Sequence, residues 1–324
     1  MVTTYPYTAS EEGAVWYGIW PGVVAADLVD LTPLATPPED VARTSVALDR
    51  LQGGAASFYI RCYRHYRGAA ASEPGGDPAP ADPGRYTGRG RLIDLVACYR
   101  ATAPDPAGYA EFVRRAVRDV AGWGGGKVQV GEELNVPAPL DGGFPGCFEA
   151  VAAGVAAGLD ERDRLGAAVA IGVNGAGVAD PAFWARMTGA LGPVSTARLD
   201  FVGLDMFPDV FRPIPEDDIG AGVRFLVRTL RRVTRDAGIS GRTPLHVTET
   251  GWPTGRARDE AKQARVLRAV AEAVLATGEV SVYELFSLRD GISDGGWQNG
   301  FGLLRDDYRP KPAYDVVRRL IATS

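Results

Sequence analysis

Three observations predict an α/β fold, a single (β/α)8 barrel. Eight short apolar, β-branched or aromatic runs recur along the chain. Stretches with helical spacing of apolar residues separate most of them. The chain has 324 residues, somewhat more than the ~250 typical of eight βα units. The runs are apolar almost throughout, as expected of parallel strands covered on both faces. A doubly wound open sheet is the competing arrangement, but no Gly-x-Gly-x-x-Gly string follows the first run.

In chain order the predicted strands are Ala14–Trp20, Ser57–Tyr63, Leu92–Cys98, Lys127–Glu133, Ala167–Val173, Leu199–Phe207, Leu245–Glu249 and Val280–Phe286. Asp105-Pro106 opens a helix, with Pro at the first helical position. Tyr109, Phe112, Val113, Ala116, Val117 and Val120 follow it at helical spacing. Asp180-Pro181 opens another, with Phe183, Trp184 and Met187 on its inner face. Ala221–Ala237 and Asp259–Ala276 carry Arg on their outer faces, and Lys311–Ile321 forms the last helix. The stretch Gly68–Gly90 is rich in Gly, Pro and Ala and lacks apolar periodicity. It is expected to be an exposed, mobile insertion on the C-terminal face, a loose loop or a lid over a cleft. No other linker or internal repeat is visible, so residues 1–324 are read as one domain.

Composition excludes several classes. Hydrophobic residues make up 46% and charged residues 23%, enough for a sizeable core without disulfides or metal. Cys62, Cys98 and Cys147 have no disulfide or zinc spacing and read as buried thiols. His65 and His246 form no metal pattern and give little support to a Ser-His-Asp hydrolase. No cofactor or metal is expected. A net charge of −5 argues against a nucleic-acid partner. No apolar run approaches the ~18–20 residues of a membrane span. The opening MVTTYPYTASEEG has neither a basic nor an apolar leader region. A cytoplasmic protein is therefore expected, or a secreted one if a leader has been trimmed.

The chemistry is left to carboxylates. The fourth predicted strand ends in Glu132-Glu133-Leu134-Asn135, and the seventh in Thr248-Glu249-Thr250-Gly251-Trp252-Pro253. Each places an acid where a strand gives way to a loop, the position from which barrel enzymes work. Two facing carboxyls are the minimum machinery for glycoside hydrolysis, one donating a proton and the other attacking or activating water.

These strings resemble the clan A glycoside hydrolases, retaining (β/α)8 enzymes. The likeness extends from about Val15 to Ile321 and includes Phe301-Gly-Leu-Leu and Arg309-Pro-Lys-Pro-Ala-Tyr near the end. The strand-seven string looks most like the endo-β-1,3-glucanase and related branches. The resemblance implies Glu133 as acid/base, Glu249 as nucleophile, Arg61 as the nucleophile's support and a β-glycoside as substrate. Substrate contacts are expected from Glu132, Asn135 and Asp205, with Trp20, Phe207, Trp252 and Trp297 lining the cleft.

The chain also departs from the clan. Glu132 stands where the clan usually has Asn, so the usual contact to the sugar 2-hydroxyl is altered. Asp205-Met206-Phe207 replaces the usual strand-six His or Tyr, and the eighth strand reads Glu284-Leu285-Phe286 without the usual Trp, the nearest being Trp297 in the following loop. These differences imply an atypical substrate. Alternative readings are a carbohydrate-binding barrel without catalysis and a barrel enzyme acting on sugar phosphates. The latter would need a basic phosphate clamp, which the sequence does not display.

Overall fold

The computed structural model describes residues 15–27, 32–68, 80, 82–293 and 296–323. Its strands are β1 (Trp16–Ile19), β2 (Phe58–Tyr66), β3 (Arg91–Tyr99), β4 (Gly126–Val130), β5 (Val169–Ala176), β6 (Phe201–Asp205), β7 (Leu245–Thr250) and β8 (Val280–Leu285). They close into a parallel barrel in chain order, with β8 pairing to β1. Every strand expected from the sequence is present, with ends shifted by a few residues.

The helices are α1 (Val41–Gln52), α2 (Pro106–Gly122), α3 (Cys147–Leu165), α4 (Phe183–Ala197), α5 (Ile219–Asp236), α6 (Glu260–Leu275) and α7 (Pro312–Thr323). Carboxylate caps start three of them. Asp40, Asp105 and Asp259 accept the backbone N–H three residues on, satisfying donors that the first turn leaves unpaired. The main core fills the space between helices and barrel. Ile60, Leu95, Val128, Ile171 and Val247 face Leu48, Val113, Val155, Val227 and Val270 there. No helix among the described residues is long and apolar enough to cross a membrane.

Two features differ from the expectation. Among the described residues the β2–β3 crossover holds no α-helix, only a 3-10 turn at Pro83–Tyr86. The later part of the Gly/Pro/Ala stretch is also packed rather than loose. Pro83 and Tyr86 are buried, and the Tyr86 hydroxyl donates to the Glu39 carboxylate. Gln52 on α1 donates to the Arg89 carbonyl at 2.8 Å. The turn therefore lines the outside of the barrel beside α1, because its few apolar side chains have somewhere to bury. Residues 69–79 and 81 lie outside the described set.

The second feature is in β7. Its pairing with β6 slips between Leu204 and Asp205, and its pairing with β8 slips between Val247 and Thr250. Such bulges re-aim side chains next to functional sites. Here the slip lets consecutive residues serve the interior. Thr248 bonds to Asp205, and Glu249 bonds to Arg61.

Candidate active site

The C-terminal mouth of the barrel is built from the ends of all eight strands. Glu249 lies at the end of β7. Its Oε1 accepts a hydrogen bond from Arg61 Nη2 at 3.2 Å and another from the Tyr63 hydroxyl at 2.5 Å. Arg61 and Tyr63 are two residues apart on β2 and so point to the same face. Arg61 Nε also donates to the Tyr63 oxygen at 2.8 Å. Burial works against the Arg61 charge, but the carboxylates of Asp94, Glu249 and Glu284 help to outweigh it and hold the pKa above its ordinary value. Tyr63 keeps its proton, because burial drives its pKa well up. Glu249 thus accepts from a cation and from a neutral hydroxyl.

Glu133 sits differently. β4 ends at Val130, and the chain turns through left-handed backbone at Gly131 (φ 80°) and at Glu133 itself (φ 40°). That conformation is costly for a non-glycine residue and tends to occur at functional sites. The turn is pinned by the Glu133 N–H, which donates to Asn174 Oδ1 at 3.1 Å. Asn174 in turn donates to Asp205 Oδ2 at 2.5 Å. Among the described residues nothing pairs with the Glu133 carboxyl. Burial raises its pKa well above the glutamate range, and the charges of Asp205, Asp141, Glu249 and Glu132 raise it further.

Glu132 points into the barrel. Its Oε2 accepts from Cys98 Sγ at 3.0 Å and from Arg100 Nη2 at 3.2 Å, and its Oε1 lies 3.8 Å from Arg61 Nη2. Arg100 also meets Asp141 at 2.8 Å. The Asp141 loop folds back tightly over β4. A Cβ on Gly142 would come within 1.7 Å of the Glu132 carbonyl oxygen, so only glycine allows that approach. Burial pushes Asp141 up to about 6, against the pull of Arg100.

The remaining expected site residues divide into two groups. Asp205 is buried at the mouth and accepts from Thr248 Oγ1 at 2.6 Å. Trp20 stacks on Phe286 at 4.8 Å and meets the edge of Tyr63 at 5.2 Å. Phe207 meets Phe286 and Phe301 edge-on. Trp297 packs against Phe301 and the exposed Phe211. Phe207, Phe286 and Trp297 form one partly exposed wall, whereas Trp20 is 2% exposed and packs behind Phe286 instead of lining the cleft.

Trp252 does not join that wall. It is 1% exposed, donates its indole N–H to Asp209 at 3.1 Å, and lies against the Arg258 and Lys262 cations. Its place is in the packing beneath the loop, not along the cleft. Asn135 also has another task. Its amide exchanges two hydrogen bonds with the Ala176 backbone, tying the β4 and β5 ends together.

Sequence reasoning missed Tyr63, Phe286, Arg100 and Asp141 as parts of the mouth. Strand alternation from Arg61 points to Tyr63, and alternation along Asp94, Val96, Cys98 and Arg100 points to Arg100. Nothing in the sequence pointed to Asp141, which a loop brings in.

No protein-family model matches the chain, and no curated protein sequence matches it. Solved structures do. A β-glucuronidase from Ruminococcus gnavus in complex with D-glucuronic acid aligns with a TM-score of 0.60 and 13% identity, over 95% of this chain and 48% of that one. The Ignisphaera aggregans GH53 catalytic domain aligns with a TM-score of 0.57 and 13% identity, over 99% of both chains. A GH2 β-galacturonidase from Eisenbergiella tayi bound to galacturonate gives 0.57 and 12%, over 95% and 50%. The chain spans about half the length of the glucuronidase and galacturonidase it matches. At these identities the likeness is one of fold: a (β/α)8 barrel whose structural neighbours include glycoside hydrolases.

Proposed function

We propose that this chain is a retaining glycoside hydrolase acting on a β-glycoside, with Glu249 as nucleophile and Glu133 as acid/base. The observation that carries this reading is the contrast between two carboxyls at one mouth. Glu249 accepts hydrogen bonds from the Arg61 guanidinium and the Tyr63 hydroxyl. Glu133 is partly buried beside other acids, and desolvation together with their charges raises its pKa. Such a split is what double displacement requires.

In the first step Glu249 attacks the anomeric carbon while Glu133 protonates the departing oxygen, giving a glycosyl-enzyme and an alcohol. In the second, Glu133, now ionised, takes a proton from water. That water displaces Glu249 and releases the sugar with its configuration retained. The partly exposed rings of Phe207, Phe286 and Trp297 supply apolar faces suited to stacking on a sugar. The glycosidases among the structural neighbours support the same class.

The test is a panel of 4-nitrophenyl glycosides of different sugars, assayed with the wild type and with Glu249→Ala. Retention is read by proton NMR of the first-formed anomer. Turnover that survives Glu249→Ala undiminished on a confirmed substrate overturns the assignment, and inverted product overturns the retaining mechanism.

A further inference from the structure

The interior of the barrel below the mouth is ionic. Barrel cores of this kind are usually filled by branched aliphatic side chains. Here Arg61 on β2, Asp94 on β3, Lys127 on β4 and Glu284 on β8 all have essentially no solvent exposure. Asp94 Oδ2 bridges two cations, lying 2.5 Å from Arg61 Nη1 and 3.3 Å from Lys127 Nζ. Lys127 Nζ is also 2.5 Å from Glu284 Oε2, between the rings of Tyr59 and Phe201 at 5.1 and 5.0 Å. The fold makes room for this arrangement. A Cβ on Gly18 of β1 would sit 2.7 Å from Glu284 Cγ.

Stability does not account for the set. Buried ion pairs commonly do no better than apolar packing of the same volume. Asp94 Oδ1 and Glu284 Oε1 are buried without a hydrogen-bond partner, which carries a further cost. What the set does have is a direction. Lys127 contacts Asp94, Asp94 contacts Arg61, and Arg61 contacts Glu249.

We propose that Lys127, acting through Asp94, is a positioning residue that decides how Arg61 divides its charge between Asp94 and Glu249. The proposal rests on the reading of Glu249 as the nucleophile. With Lys127 present, Asp94 has a second cation, and Arg61 remains available to Glu249. Without it, Asp94 turns wholly on Arg61, and the field holding the Glu249 carboxylate weakens. Glu284 does not take over this role at acid pH. Burial, aided by Asp94, pushes it up to about 8 against Lys127 and Arg61. The neighbouring His246 is kept neutral by burial and by Lys127. Glu132 Oε1 and Glu284 Oε2 also lie 3.8 and 4.0 Å from Arg61, and Tyr63, Glu133, Asp141 and Asp205 bear on Glu249 from the other strand ends; neither substitution removes any of these groups.

The experiment follows the carboxyl carbon of Glu249 by NMR of protein labelled at the glutamate side chains, the signal being assigned with Glu249→Gln. Lys127→Met should raise the pH midpoint of Glu249 by about 0.5–1 unit. Asp94→Asn should lower it, because Arg61 then has one acid fewer to serve. Lys127→Met/Asp94→Asn should return it near the wild-type position. The acid limb of the pH–rate profile on a 4-nitrophenyl glycoside should move in the same directions. A purely structural role would not give shifts of opposite sign that cancel. Absence of movement in folded Lys127→Met, or movement of both single variants in one direction, overturns the proposal. If Lys127→Met does not fold, the downward shift in Asp94→Asn decides. The NMR midpoint needs no turnover, so its failure stands apart from a failure of the glycosidase reading, which Glu249→Ala tests.

Discussion

The ends of β4 and β7 each present a glutamate to the same opening, and the two are treated in opposite ways. At β7 a bulge turns Glu249 toward a buried arginine and a tyrosine hydroxyl. At β4 a left-handed turn holds Glu133 by its backbone and leaves its carboxyl among acids. The same side chain therefore meets donors in one place and other acids in the other. The comparison teaches that the surroundings of each glutamate come from neighbours on β2, β5 and β6 and not from its own strand.

The largest effect should come from the β7 side. Glu249→Ala should reduce hydrolysis of any substrate by on the order of 10^5-fold, comparable to removing a nucleophile elsewhere, measured as steady-state release of 4-nitrophenol. Glu133→Ala should cost roughly 10^2–10^4-fold on substrates with poor leaving groups. With an activated aryl glycoside it should still form the intermediate, and azide should restore turnover and give a glycosyl azide of retained configuration. Azide on Glu249→Ala should give the inverted product. The reverse stereochemical pattern would exchange the two roles.

Next in size is the tyrosine. Tyr63→Phe removes one hydrogen bond to a charged carboxylate, a loss of about 1.5–3 kcal/mol, so kcat/KM should fall by roughly 10–100-fold. An unchanged rate would leave Arg61 as the sole support of Glu249.

The β4 side can be sharpened by pH. Glu133 must be protonated to act, so activity should fall as pH rises through its raised pKa, placing the basic limb above the ordinary glutamate range. Burial is the first cause of that shift, and Asp205 is the strongest of the neighbouring charges. Asp205→Asn should therefore move the basic limb to lower pH in the kcat/KM profile. A limb that stays in place would separate Asp205 from Glu133.

The smallest effect lies in the barrel interior. Glu284 has its pKa raised by burial to about 8, from 4.5. Its contribution to stability is complete below pH 4.5 and is lost as pH rises through about 8. Glu284→Gln cannot ionise. Relative to wild type, its Tm should gain by a few degrees between pH 5 and pH 8.5, read by calorimetry. A parallel pair of Tm curves would show that Glu284 keeps the same protonation in the folded and unfolded chain.

Much of the scaffold was legible because burial on both faces leaves a plain apolar run, and all eight strands carry one. The positions of Glu133, Glu249 and Arg61 were legible for a related reason: a charge that closes or interrupts such a run stands out. α1 and α3 were not singled out. The first lies in a polar stretch, and the second is so rich in Ala and Gly that its apolar stripe is faint. Trp252 illustrates the opposite error. Next to Glu249 in sequence it looked like a cleft residue, but the loop after β7 carries it away to Asp209.

The sequence by itself determined the barrel, the strand ends at which the two glutamates sit, and the arginine on the second strand. Periodicity and composition report whether a residue is buried, and that is enough to count strands and find their ends. Tertiary structure alone decided which buried groups meet. It set Tyr63 against Glu249, turned Glu132 inward to Arg100, took Asn135 into a backbone brace, and joined Lys127 to Arg61 through Asp94. Those contacts link different strands around a closed ring. Their partners are fixed by barrel register and by a bulge in β7, which no local pattern in the chain records.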